Sequence, residues 1–286
     1  METTLPKLPH SEFMHPRPDM AQCILGAFVR DTRGCGLPAE QRFNHFASVP
    51  LCGFSLMFEG SARIVSRGEP WASEPMSRAL FSGPQSQPTT SWNDGDIYGM
   101  IIVFYPDALT ALLGVSMEAF SDKSVPLGHV PEGPVRDILA SAIHADDASK
   151  AFDMIQNGLS PLWQDVRPEQ SGFGRMIGDW SRSLMVNAAL SGPGRSLQQV
   201  QRRVKAATGS PLKRLQTYTK AEEAFVLALK DSSDDLAGIA ADAGYSDQSH
   251  MGRHVRAQTG FTPAELMRGF ESDEAFWSYR LMGERY

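Results

Sequence analysis

The chain has 286 residues, 42% of them hydrophobic and 21% charged, a balance that excludes a mainly disordered protein and leaves room for two domains. No run approaches the ~20 apolar residues of a spanning helix, and the first residues lack the basic-then-apolar layout of a signal peptide, so the expected setting is cytoplasmic with no membrane partner. The formal net charge of −6 argues against a chain that coats nucleic acid indiscriminately, and the three cysteines (Cys23, Cys35, Cys52) suit free thiols rather than a disulfide framework or a CxxC metal site.

The first hundred residues predict short strands. Arg42 to Ser48 alternates, with Phe43 and His45 on one face and Arg42, Asn44 and Phe46 on the other. Cys52 to Phe58 alternates again, setting Cys52, Phe54, Leu56 and Phe58 against Gly53, Ser55 and Met57. Glu59-Gly60-Ser61 predicts a hairpin turn into Ala62 to Ser66, and Leu80–Phe81 and Ile97–Tyr105 add further strands. Pro106-Asp107 starts a helix closed by Gly114. Val135 to Ile143 and Ala151 to Leu162 have helical spacing. A polar, Gly-containing stretch from Gln170 to Gly174 marks a domain boundary, after which the chain reads as helical.

Ser196 to Thr208 is a two-faced helix with Ser196 as N-cap and Gly209 just past its end. Leu197, Val200, Val204 and Ala207 share the inward side. Gln198, Gln199, Arg202 and Lys205 lie opposite, with Gln201 at the edge. Gln can bond adenine in two places and Arg can do the same with guanine, so such a face suits a major groove; an ordinary solvated face has the same composition. A second unit strengthens the first reading. Asp235 can cap a helix through Leu236, Ile239, Ala240 and Ala243, and Gly244 ends it with a small residue that permits the turn and close packing. Ser246 then caps Asp247 to Thr259, which points Met251 and Val255 inward and Gln248, Ser249, Arg253 and Arg256 outward, with His250 near the edge. Support helix, glycine turn and polar, basic second helix make a helix-turn-helix. Between the units, Pro211 to Lys230 predicts an uninterrupted rod of roughly 28 Å. Such a rod can hold two helices near successive major grooves, which lie ~34 Å apart. From Arg195 to Phe270 there are 11 Lys and Arg against 8 Asp and Glu, so the segment is mildly basic within an acidic chain.

Gln201-Arg202-Arg203-Val204-Lys205-Ala206-Ala207-Thr208-Gly209 resembles the first recognition helix of AraC/XylS-family transcriptional regulators. Glu222 to Ala224, the run Ile239 to Met251, and Gly260-Phe261-Thr262-Pro263-Ala264 resemble that family's linker helix, second unit and closing Gly-x-[ST]-Pro. The resemblance implies an α+β protein: a cupin-like β-barrel or sandwich with flanking helices over 1–169, binding an effector or mediating dimerisation, and an all-α DNA-binding domain over 170–286, whose two helix-turn-helix units are joined by a long linker helix. It implies DNA contacts by Gln198, Gln201, Arg202 and Lys205 in the first unit and Gln248, Ser249, His250 and Arg253 in the second. It names double-stranded DNA as partner and admits RNA polymerase, a small-molecule effector and a second copy of the chain. This sequence departs from the family pattern where Phe173 to Leu190 reads as one long helix followed by Ser191-Gly192-Pro193-Gly194, and where Gly252 interrupts the second recognition helix.

In the N-terminal part, His10, His15, His45, His129 and His144 lack the His-x-His spacing of metal-binding cupins, so no metal, no cofactor and no enzymatic chemistry are expected. Arg42, His45 and Trp92 can line an effector pocket, as guanidinium, imidazole and stacking indole; the alternative is that Arg42 faces solvent and the other two are packed. Pro84 to Pro88 can cover the barrel mouth or simply connect. Phe276, Trp277, Tyr279 and Leu281 predict a short terminal helix docked on the protein itself or on a second subunit. Two other functions stay open: an interaction adaptor with degenerate helix-turn-helix units, and a cupin-type small-molecule enzyme.

Overall fold

The computed structural model describes residues 7–65, 74–168, 177–190, 196–230 and 236–284. Two antiparallel sheets face each other. The larger has the order β1 (His10–Met14), β2 (Ile24–Asp31), β8 (Tyr98–Phe104), β4 (Cys52–Glu59), β6 (Ala79–Ser82), β9 (Ser124–Pro126). The smaller has the order β3 (Phe43–Phe46), β7 (Thr89–Asn93), β5 (Ala62–Val65). The turn at Gly60 (φ +81°) is not a ladder hairpin, because β4 and β5 belong to different sheets. It carries the chain across the sandwich, and a side chain at Gly60 would meet the Asp96 carbonyl.

Strand alternation decides what each face does. Phe54 and Leu56 of β4, with Met100, Ile102 and Phe104 of β8, pack on the outer side of the large sheet against α1 (Pro106–Leu113), α2 (Pro134–Ser141) and α3 (Ala148–Val166). The intervening residues Gly53, Ser55, Gly99, Ile101 and Val103 face inward. Several of these side chains are too small to fill the interior, and a cavity of about 430 Å³ remains between the sheets.

The C-terminal part contains α4 (Ile177–Leu190), α5 (Leu197–Thr208), α6 (Leu212–Lys230), α7 (Leu236–Asp242), α8 (Gln248–Thr259), α9 (Pro263–Ser272), a 3₁₀ turn (Glu274–Phe276) and α10 (Trp277–Glu284). α6 runs without interruption for 19 residues. The expected domain boundary at 170, the turn at 191–194 and the Asp235 cap lie outside the described residues.

The two units are anchored differently. Trp180 and Leu184 of α4, Val204 of α5 and Leu215 of α6 belong to the same core as the helices flanking the barrel. The Trp180 indole donates to Asp107 Oδ1 at 2.9 Å on α1, where burial raises the Asp107 carboxyl above the usual carboxylate range. The second unit has its own small core of Ala224, Ile239, Ala240, Ala243, Tyr245 and Met251. A third cluster joins Leu266, Phe276 and Tyr279 to Phe43 of the small sheet and to Ala47 just after it, so the terminal helix is docked on the protein itself. Among the described residues no helix is long and apolar enough to cross a membrane, and no group of three or more His, Cys, Asp or Glu is placed to hold a metal ion.

Candidate nucleic-acid interface

Ser196 caps α5 by accepting from the Gln199 amide, and Gly209 ends it in the left-handed conformation (φ +70°). Val204 is fully buried, with Val200 and Ala207 half-buried beside it. The opposite side exposes Gln198, Gln201, Arg202 and Lys205. Leu197 departs from the expectation of an inward residue: it is 66% exposed. It occupies the first turn and lies next to Gln201 on the helix surface, so it adds an apolar side chain to the polar face.

The last turn of α5 is bound to the N-terminal domain. Thr110, Ser116 and Ser121 donate their hydroxyls to the carbonyls of Ala207, Ala206 and Gly209 at 2.8, 2.8 and 3.2 Å. Lys205 Nζ lies 2.6 Å from Glu118 Oε1, both side chains about half exposed. Of the four predicted contacts in this unit, Gln198, Gln201 and Arg202 are exposed and Lys205 is held by Glu118.

In the second unit, Gly244 turns the chain with φ +72°. The steric reason expected for glycine there is corrected: an added Cβ would have only Lys220 Nζ near it, at 4.0 Å, so conformation and not crowding selects glycine. Lys220 caps this turn by donating to the Gly244 carbonyl at 2.9 Å. The N-cap of α8 is Asp247, not Ser246. Asp247 accepts from the His250 amide at 2.7 Å, and that bond with the Ser246 hydroxyl holds its carboxyl below the usual range.

Beyond this cap Gln248, Ser249, Arg253 and Arg256 are exposed and Met251 is buried. His250 is half-buried, with Nδ1 3.1 Å from Ser246 Oγ and its ring edge-on to Tyr245 and His254. Among the described residues Arg202, Arg253 and Arg256 enter no ion pair. Gly252 has open space around it, so its missing side chain leaves the surface beside Ser249 and Arg253 low.

The three N-terminal candidates do not line the barrel cavity. Arg42 donates to the Leu37 carbonyl at 2.7 Å and the Trp92 indole to the Ala39 carbonyl at 3.1 Å, so both brace the turn that enters β3. His45 lies on the face of the small sheet turned away from the cavity, the face Trp92 shares, its ring against Phe261 and Phe276 and its Nδ1 3.1 Å from Thr90 Oγ1. Burial pushes its pKa below the ordinary histidine value. The inward residue of this strand is Asn44, 4% exposed, which donates to Ser91 and Asn93 and accepts from the Trp277 indole at 2.8 Å. The Pro84–Pro88 loop meets α6, where Tyr218 donates to the Gln85 carbonyl at 2.7 Å.

Residues 194–269 match a family model described as a helix-turn-helix domain. The chain matches none of the curated proteins. Among solved structures it is similar to ToxT from Vibrio cholerae, at 9% identity and a TM-score of 0.40 over 92% of this chain and 98% of that one. A structure of ToxT from Vibrio cholerae bound to (E)-4-(8-methylnaphthalen-1-yl)but-3-enoic acid gives 11% identity and a TM-score of 0.40 over 92% and 99% of the two chains. An unsaturated fatty acid bound form gives 13% and 0.37 over 85% and 94%.

Proposed function

We propose that the chain is a sequence-specific DNA-binding regulator of transcription of the AraC/XylS type, reading successive major grooves with α5 and α8; the match of residues 194–269 to a helix-turn-helix domain supports this reading. The observation that carries this reading is the pair of capped helices whose exposed faces hold Gln198, Gln201 and Arg202 in one and Gln248, Ser249 and Arg253 in the other, neither arginine entering an ion pair among the described residues. These six are the proposed direct contacts, to base edges or phosphates. His250 supports the start of α8 and Lys205 joins the interface when it leaves Glu118. Leu197 adds an apolar contact suited to a thymine methyl.

The division near residue 170 separates this module from a sensor domain. The proposed effector site there is the 430 Å³ cavity, a size within the ~300–1,000 Å³ of small-molecule sites. It replaces the Arg42, His45 and Trp92 grouping. RNA polymerase and a second copy of the chain are the macromolecular partners this reading adds to DNA.

The test is selection of bound sequences from a random duplex pool by the full chain. Two enriched blocks about one helical turn apart support the proposal. One block confines base reading to a single unit. No enrichment overturns the proposal and favours an interaction adaptor, a reading that the Lys205–Glu118 pair supports.

A further inference from the structure

A second, smaller space of about 100 Å³ lies where the second helix-turn-helix unit meets the sandwich. Its origin is on α6, where Ala221, Ala224 and Ala228 recur at helical spacing and present one face too short to fill the gap. Ala47 to Val49, in the loop after β3, form a wall from the N-terminal domain. Met251 of α8, Met267 of α9 and Tyr279 of α10 add walls from the helical side. Ala47, Val49 and Met282 also line the cavity between the sheets, so the two spaces share that wall. The bond from the Ser48 amide to the Gln258 carbonyl, 2.7 Å, ties the loop to α8 at this place.

The lining is almost wholly apolar, and most of its polar side chains are committed. Tyr218, Gln258 and Thr259 donate to the carbonyls of Gln85, Thr217 and Val255 at 2.7, 3.1 and 2.8 Å. Tyr279 differs. It is 2% exposed, its ring is held against Phe270 and Phe276 with centroids 6.0 and 5.9 Å apart, and its hydroxyl is buried with no partner among the described residues. Burial pushes the phenol pKa up, so the group keeps its proton and can donate. A buried water is held by two to four polar partners, and a single open hydroxyl in an apolar space does not supply them.

Charge separates this space from its larger neighbour. The cavity between the sheets has Arg30 in its lining, which donates to Glu274 Oε2 at 2.6 Å. Among the described residues no Lys, Arg or His lines the smaller space, whereas Glu222, 8% exposed, does. An anionic head group placed there would meet a buried carboxyl and no cation. Size sets the other limit. A cavity of roughly 150 Å³ lined by Leu, Ile and Phe stays dry and takes up benzene. About 100 Å³ bordered by the adaptable Met251, Met267 and Met282 suits a five-membered ring or a short chain.

We propose that this space is a second binding site, for a small neutral molecule with an apolar body and one oxygen acceptor, such as a ketone. The ligand accepts from the Tyr279 hydroxyl, fills the gap left by the α6 alanines and clamps the second unit to the sandwich.

The probes are cyclopentanone and methylenecyclopentane, which differ only in whether the exocyclic atom accepts a hydrogen bond, with cyclopentanecarboxylate as the anionic counterpart. Each is titrated into the full-length protein while methionine methyl resonances are followed. Met251 and Met267 report this space, and Met57 and Met100 report the larger one. Cyclopentanone is expected to shift Met251 and Met267 and to bind about fivefold tighter than methylenecyclopentane, the worth of one neutral hydrogen bond. The carboxylate is expected to leave both methyls unmoved. Saturating cyclopentanone is expected to slow hydrogen exchange of the Ser48 amide. Tyr279→Phe is expected to abolish the preference for the ketone and, with the unpartnered hydroxyl gone, to raise the melting temperature of the unliganded protein. No shift of Met251 and Met267 with either neutral probe, equal affinities, or a carboxylate that binds there as tightly as the ketone overturns the proposal. So does a preference that survives Tyr279→Phe, a lower melting temperature in that variant, or unchanged Ser48 exchange. None of these outcomes depends on duplex binding, so the site and the regulator reading stand or fall separately.

Discussion

Lys205 Nζ and Glu118 Oε1, 2.6 Å apart, connect the first recognition helix to the N-terminal domain through a residue expected to hold DNA. The pair is half exposed, and such pairs contribute about 0–1 kcal/mol. Glu118→Gln is therefore expected to raise DNA affinity by no more than a few-fold, measured by anisotropy on the selected duplex. Lys205→Ala is expected to lower the salt slope by about one if the freed lysine reaches a phosphate. An unchanged slope in Lys205→Ala would assign the lysine to the domain contact alone.

Arg202 and Arg253 stand on exposed faces and enter no ion pair among the described residues. Replacing either by Ala is expected to cost about 1–3 kcal/mol on the selected site if it reads a base, with relaxed preference at one position. An equal loss on random duplex would move that arginine to the phosphate class. Because neither side chain is buried, the melting temperature is expected to stay within the experimental spread of the parent chain.

Three glycines separate conformational strain from crowding. Gly244→Ala places a side chain at φ +72° in open space and is expected to destabilise by roughly 1–2 kcal/mol. Gly209→Ala adds a clash to the same strain, since its Cβ would lie 2.9 Å from Met117 and Glu118 backbone atoms, so its cost is expected to be the larger of the two. Gly252→Ala sits mid-helix with nothing near it and is expected to stabilise by about 1 kcal/mol. Thermal unfolding of the three variants checks the order; a milder Gly209→Ala than Gly244→Ala would contradict the close contact at the end of α5.

The His45 ring packs against Phe261 and Phe276, so the docking of the small sheet there is expected to weaken in acid. Burial depresses its pKa below 6.5, partly offset by Asp273. The unfolded chain then binds the proton more readily, so the stability due to neutral His45 is complete above pH 6.5 and is lost as pH falls through 6.5 toward the folded value. His254 is depressed in the same direction, by burial first and then by His250, Lys220 and Arg253. His45→Gln is expected to flatten the fall in melting temperature on acidification, and the double variant with His254→Gln to flatten it further. A slope identical to the parent in His45→Gln would show that this ring does not titrate within the transition.

The second helix-turn-helix unit was legible because its signals are local. Glycine turn, helical period and closing Thr262-Pro263 all lie within one stretch, the cap falling on Asp247, one residue past the expected Ser246, and Thr262 with Glu265 closes a capping box there. β2 was missed because seven of its eight residues are buried, so it lacks the alternation that betrays a one-sided strand. β7, Thr89–Asn93, is polar and short. Leu197 misled because helical period gives a direction, not the place where the packing partner ends. The cavity was invisible for a different reason: small residues on separate strands create it, and one wall comes from a segment 244 residues away from Arg30.

The Ser48 amide donates to the Gln258 carbonyl at 2.7 Å, fixing the end of α8 to the loop that follows β3, while α5 is fixed by Thr110, Ser116 and Ser121 of the same domain. The sandwich therefore acts as a gauge. Spacing between the reading heads is set by a braced triangle and not by the α6 rod alone. One inserted base pair displaces a half-site by roughly 3.4 Å along the duplex and also rotates it. A braced reader has no slack to follow that displacement, so its operators have to keep a single spacer length for as long as both docks hold.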